Sequence, residues 1–123
     1  MFTDNVRLRV RIKLEGLRPQ VVSVKKPSRT VVARFTLQPG AQIPWHSHPG
    51  PVVVNIVSGE LTYVAARDCV EREYPAGTAF VDPGKGHVHT AFNDTDDVTV
   101  FVATFFKTPA VGPLLIPAAP RCS

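Results

Sequence analysis

The chain has 123 residues, 44% of them hydrophobic and 20% charged, with a formal net charge of +4. That length suits one domain and excludes a TIM barrel or a complete dinucleotide-binding fold; the composition is too apolar for a disordered chain. Apolar runs reach only about six to eight residues, too short for a membrane-spanning helix, so no membrane partner is expected.

In chain order, the first feature is a run in which Arg7, Arg9, Arg11 and Lys13 alternate with Leu8, Val10, Ile12 and Leu14. Period two predicts a strand over 6–14 with one basic face. Such a face is the ordinary protection of an edge strand. No nucleic-acid motif accompanies it, so no nucleic-acid partner is expected. The amino-terminal residues lack the apolar core of a signal peptide, although the chain is compatible with the mature form of an exported protein.

Further runs rich in Val, Ile, Thr, Phe and Tyr lie at 21–24, 30–37, 52–58, 60–66, 70–74, 78–81, 87–92 and 97–106. They read as strands, punctuated by most of the eight glycines and twelve prolines. Helical periodicity appears nowhere over a useful length. About nine short strands with regular turn signals predict an all-β sandwich or barrel. The core should span 31–106. Residues 107–123, with Pro109, Pro113, Pro117 and Pro120, form an extended tail of the same single domain (1–123). Leu114, Leu115 and Ile116 are too apolar to lie free in water: they should pack on the barrel, cover an opening, or meet a second subunit.

The two cysteines, Cys69 and Cys122, do not form a C-x-x-C pair, which excludes a zinc knuckle. A disulfide between them would tie the tail back onto the body and stabilise the fold by roughly 4 kcal/mol in the loop-entropy picture. It would also fit export; two free thiols is the alternative.

All four histidines fall in two His-x-His pairs, His46/His48 and His87/His89. Residues i and i+2 of a strand share a face, so His46 and His48 can aim two imidazoles at one point, with a third donor from a neighbouring strand. Neutral imidazole is the commonest ligand of divalent transition metals, and Fe, Zn, Ni and Cu all suit it.

These segments resemble the two motifs of the cupin superfamily. In the first, Gly40 precedes His46 and His48, and Gly59 closes the motif. In the second, Gly77 precedes Pro83, Gly86, His89 and Asn93, with one extra residue between Pro83 and Gly86. The resemblance covers 40–93 and is similar to that of small single-domain bacterial cupins. It implies an all-β double-stranded β-helix, or jelly-roll barrel, and a homodimer. It also implies metal ligands His46, His48 and His89.

The family's first motif carries a glutamate where this chain has Val52. Three readings follow. A three-histidine site would resemble those of thiol and diketone dioxygenases. His87 could supply a fourth nitrogen, or the metal could be lost and an organic ligand bound. Three neutral ligands would leave a cation its full charge and draw an anionic small organic molecule. Val52, Val54 and Ile56 would make an apolar wall, with Trp45 and Tyr63 as further candidates for the lining. Glu60 is expected in solvent at a turn, Asp82 in a turn bond before Pro83, and Asn93 in a structural role. A small-molecule oxygenase and a non-catalytic ligand-binding or sensing barrel both fit these features. No nucleophile elbow or phosphate-binding glycine loop competes.

Overall fold

The computed structural model describes residues 8–12, 20–24, 29–109 and 112–122, with side chains described from Arg29 onward. All its regular elements are strands. In chain order they are β1 (Leu8–Ile12), β2 (Gln20–Val24), β3 (Arg29–Leu37), β4 (Gln42–Ser47), β5 (Val52–Ser58), β6 (Glu60–Ala65), β7 (Glu71–Pro75), β8 (Ala79–Asp82), β9 (His89–Phe92), β10 (Thr99–Thr108) and β11 (Ile116–Pro117). β1 and β2 form a two-stranded antiparallel sheet. The basic face expected there concerns side chains outside the described residues.

The other nine strands form two antiparallel sheets, ordered β3-β10-β5-β8 and β11-β4-β9-β6-β7. This is the expected jelly roll. Consecutive strands repeatedly switch sheets, and the two inner faces meet as a core. β10 shows why its sequence suits this position: from Thr99 to Phe106 buried and half-buried residues alternate, as a strand with one face inward requires. Phe101, Ala103 and Phe105 point into the core beside Val52, Val54 and Ile56 of β5. Phe35 of β3 stacks on Phe101 with ring centroids 4.8 Å apart. Each fully buried side chain of this kind contributes about 1.5–3 kcal/mol.

Two strands lie outside the β-rich runs of the sequence. β4 lies in a stretch broken by Pro39, Gly40, Pro44 and Pro49, where only the spacing of His46 and His48 implied a strand, and it pairs with β9 through Gln42↔Phe92, Ile43↔Ala91 and His46↔His89. The ladder is interrupted between Ile43 and His46. Pro44 sits in that gap, where its missing N–H costs no ladder bond. β11 forms in the proline-rich tail and covers the outer edge of β4, pairing Ile116↔Ser47 and Pro117↔His46.

Glycine is demanded where the two sheets join. Gly59, at φ +74°, turns β5 into β6, and a Cβ there would lie 2.6 Å from the Val98 carbonyl. Asn93 secures the same end of the barrel. Fully buried, it donates to the carbonyls of Leu37 (3.0 Å) and Asp97 (2.7 Å) and accepts from Thr95. Its role is structural, as the motif implied.

Candidate metal centre

Cross-strand pairing brings the histidines together. β4 carries His46 and leads into His48, and β9 opens with His89, directly opposite His46. All three are buried, 4–5% exposed. One ring nitrogen from each lies within 4.8 Å of those of the other two.

The remaining nitrogens decide what this cluster can do. Nδ1 of His46 meets the Pro44 carbonyl at 2.6 Å, and Nδ1 of His48 meets the Leu114 carbonyl at 2.8 Å. Nδ1 of His89 meets Asp82 Oδ2 at 2.7 Å and the His87 carbonyl at 3.1 Å. Each acceptor is an oxygen, so each Nδ1 donates. The lone pair of the neutral ring is therefore left on Nε2, the tautomer a metal requires. Burial lowers the pKa of His46 to about 4, helped by the neighbouring His89 and His48 and opposed by the Pro44 hydrogen bond. Burial also lowers that of His48. Both rings are thus neutral at pH 7 and free to ligate. Three neutral nitrogen donors with fixed tautomers fit a divalent transition metal, and a soft or borderline ion better than Mg²⁺ or Ca²⁺.

The site contains an acid that the turn reading of Asp82 did not anticipate. The turn bond is present, Gly84 N–H donating to Oδ1 at 2.8 Å. Asp82 is also 1% exposed, and its Oδ2 accepts from both His89 and the Tyr63 hydroxyl, the latter at 2.9 Å. Burial alone would raise its pKa, but the bonds from His89, Gly84 and Tyr63 hold it below the usual carboxylate range. In the β5–β8 ladder Asp82 stands directly across from Val52. A carboxylate is therefore present one strand away from the position where the family's glutamate is missing. It reaches the cluster from behind His89, and it lowers the site's net charge from the full +2 expected of a cation with three neutral ligands. Burial and the adjacent Asp82 push the Tyr63 hydroxyl pKa upward, so it remains a donor.

Above the histidines lies a cavity of about 440 Å³, counted out to its open mouth. Its walls include Val52, Val54 and Tyr63, with Phe35, Phe80, Phe101, Phe105 and Leu115. Among the described residues, neither lysine nor arginine lines this wall.

Three candidates fall elsewhere. Ile56 is buried in the core but lies one inward step beyond Val54 along β5, outside the lining. Trp45 is half-buried and contributes its carbonyl to Ala118 N–H, not its ring to the cavity. Adjacent to His46 in a strand, it belongs to the opposite side. His87 is exposed and outside the cluster, so it is not a fourth ligand. It belongs to the turn of Gly84, Lys85 and Gly86, all at positive φ, and strand alternation does not extend back to it from β9. Glu60 is also outside the cluster. Cys69 and Cys122 are joined in a disulfide, with Cα atoms 5.8 Å apart.

Fold and donor set together define a double-stranded β-helix with a three-histidine cluster that could hold a metal ion. The cupin domain family model matches residues 33–105, and the chain belongs to that family. Among solved structures, it is similar to an uncharacterised double-stranded β-helix protein from Klebsiella pneumoniae. That match has 20% identity and a TM-score of 0.61, over 96% of this chain and 90% of the other. It is also similar to an oxalate oxidase, with 25% identity and a TM-score of 0.62, over 72% of this chain and 46% of the other. The polyketide cyclase RemF from Streptomyces resistomycificus matches with 17% identity and a TM-score of 0.63, over 75% and 62%. The chain thus spans about half the length of the oxalate oxidase. No protein of curated function is significantly similar in sequence.

Proposed function

We propose that this cupin binds a divalent transition metal (Fe, Zn, Ni or Cu) through His46, His48 and His89 and uses it on a small, largely apolar organic molecule bearing one anionic group. An oxygenase reaction is the first to test. The observation that carries this reading is the tautomer pattern: three buried imidazoles each give Nδ1–H to an oxygen and present Nε2 to a shared point. A solvated or merely structural histidine would not need that uniformity. When bound, the metal would supply Lewis acidity, and a redox-active one would supply electrons to dioxygen.

The chain's own residues set what can enter. Phe35, Phe80, Phe101 and Phe105 give the cavity an apolar lining, and Val52 and Val54 replace polar surface with hydrocarbon. A buried metal site in an apolar chamber attracts one negative charge. The ionised Asp82, with no lysine or arginine in the wall among the described residues, disfavours a second. This argues for a monoanion, such as an enolate, a thiolate or a monocarboxylate, and against a dianion such as oxalate, despite the structural likeness. Tyr63 gives its hydroxyl hydrogen to Asp82 and so positions the acid without offering a free donor to substrate.

A second reading, a non-catalytic barrel that senses or stores such a ligand, is favoured by one fact. Among the described residues the cavity's only acid, Asp82, is already committed to three donors, which leaves no free general base. Oxygen uptake by Fe²⁺-loaded protein, with a panel of small monoanionic diketones, thiols and carboxylates, separates the two. Substrate-dependent uptake supports the oxygenase. Saturable binding of the same compounds by calorimetry without uptake supports the sensor. The homodimer implied by the resemblance is carried as part of the proposal, and sedimentation equilibrium tests it.

A further inference from the structure

We propose that the carboxy-terminal segment 112–122 is a working part of the metal centre: a strap whose Leu114 carbonyl positions His48 and whose Cys69–Cys122 bond keeps it docked, so that reducing the disulfide weakens metal binding. The proposal rests on the metal reading above and adds a redox-sensitive positioning element to it.

The strap meets β4 along the stretch that carries two of the ligands. Leu114 O accepts the His48 Nδ1–H at 2.8 Å. Leu115 contributes to the cavity wall. Ile116 and Pro117 pair with Ser47 and His46, and Ala118 N–H donates to Trp45 O at 2.9 Å. Without the strap, His48 loses the oxygen that fixes its tautomer, and the cavity loses part of its wall.

The docking is weak on its own terms. Its ladder is two residues long, Pro117 has no N–H to give, and Ile116 is 43% exposed. A covalent tie supplies what these contacts lack. β11 lies at one edge of its sheet, and Cys69 lies in the connection between β6 and β7, at the other edge. Residues 118–122 therefore bridge the two edges, and the disulfide holds the far end across a sequence separation of 53.

Cys69 is exposed, so a dithiol reductant can reach the bond without unfolding the barrel. Two electrons break the S–S bond. The reductant leaves as its own disulfide, and its two hydrogens end on the Sγ atoms of Cys69 and Cys122. The freed strap can then leave β4. His48 Nδ1 faces water instead of a carbonyl, and part of the population shifts to the tautomer whose Nε2 is protonated and cannot ligate.

The test uses the full chain in three altered forms beside the oxidised protein. One is reduced, capped with iodoacetamide and freed of reagents. The second is Cys69→Ser with Cys122→Ser. The third carries three glycines between Ala119 and Pro120, which keeps the disulfide but gives the strap slack. Ni²⁺ affinity is measured by competition with a chelating indicator, and ¹⁵N spectra of the apo histidine rings report tautomers. All three forms should bind Ni²⁺ about tenfold more weakly, the scale of a lost partner behind a ligand. His48 alone should change from a single Nδ1–H tautomer to a mixture, while His46 and His89 keep theirs. If the first two forms fail to fold, the slack form, still cross-linked, carries the test. Affinities within twofold of the oxidised protein, with an unchanged His48 signal, overturn the strap. If even the oxidised protein takes up no Ni²⁺, the metal reading falls instead, and the His48 spectrum alone decides whether the strap positions that ring.

Discussion

His46 and His48, on and just after β4, give their Nδ1 hydrogens to backbone carbonyls, those of Pro44 and Leu114, whereas His89 on β9 gives its hydrogen to a buried carboxylate. The two halves of the centre are therefore held by different physics. A carbonyl offers a partial charge and arrives with the backbone, so the β4 half depends on where neighbouring chain segments lie. A carboxylate offers a full charge and must itself be kept ionised in a dry place. Asp82 meets that need with three donors: Tyr63, Gly84 and His89. One half is fixed mechanically, the other electrostatically.

The most severe way to break the comparison is to remove the shared ring. His89→Ala should abolish stoichiometric metal uptake, a loss of at least about 100-fold in affinity, beyond the range for partners behind a ligand. Elemental analysis after a chelator wash checks this; metal content unchanged from the parent would end the ligand assignment. Next is the reinstatement of the family's acid. Val52→Glu places a second buried carboxylate directly across from Asp82 and should destabilise the metal-free protein by about 3 kcal/mol or more. Added Mn²⁺ should recover part of that loss in thermal unfolding. Recovery by Zn²⁺ but not Mn²⁺ would mean that the new acid does not reach the metal.

Acid titration probes the β4 half through His46. The folded pKa of His46, about 4, lies below its ordinary 6.5, so the unfolded chain takes up the proton first. Stability of the metal-free protein is fully present above about pH 6.5 and falls as pH drops toward 4, by on the order of 3 kcal/mol from this ring. His48, shifted the same way, adds to the slope. Urea unfolding at a series of pH values should show this decline, and His46→Gln should flatten it; equal slopes in both proteins would count against it. The smallest expected effect sharpens the β9 half. Asp82→Asn keeps the shape but removes the charge behind His89, so metal affinity should fall roughly 10- to 100-fold, with the three-histidine stoichiometry retained. If affinity is unchanged, the charge of Asp82 does not matter to the ligand it holds.

Much of the barrel was legible because glycine and proline mark its turns and β-branched runs mark its strands. The predicted runs at 52–58 and 60–66 agree with β5 and β6 to within one residue at each end. β4 was legible only through the spacing of His46 and His48. Its prolines argue against a strand unless a neighbour tolerates the gap at Pro44, and that neighbour, β9, is more than forty residues away. Ile56 was assigned to the lining and His87 weighed as a fourth ligand because alternation predicts a face, but not how far along the face the cavity extends, nor where a turn interrupts the strand; Trp45 was offered as lining beside His46, although alternation turns it to the opposite side. Asp82 was read as a turn residue because the chain around it, Asp-Pro-Gly, explains only one of its two oxygens. Nothing local indicates that the other oxygen meets His89 and Tyr63.

What the amino-acid order determined by itself is the alternation of strands and turns, the paired histidines, and the substitution of valine for the family's glutamate. These are local facts, set by backbone conformation and side-chain chemistry. Only the folded chain decided that a carboxylate returns from the next strand, and that the proline-rich tail comes back to cap His48. The first depends on the cross-strand register of β8 and the second on the pairing of β11 with β4, which bring together residues that no local rule connects.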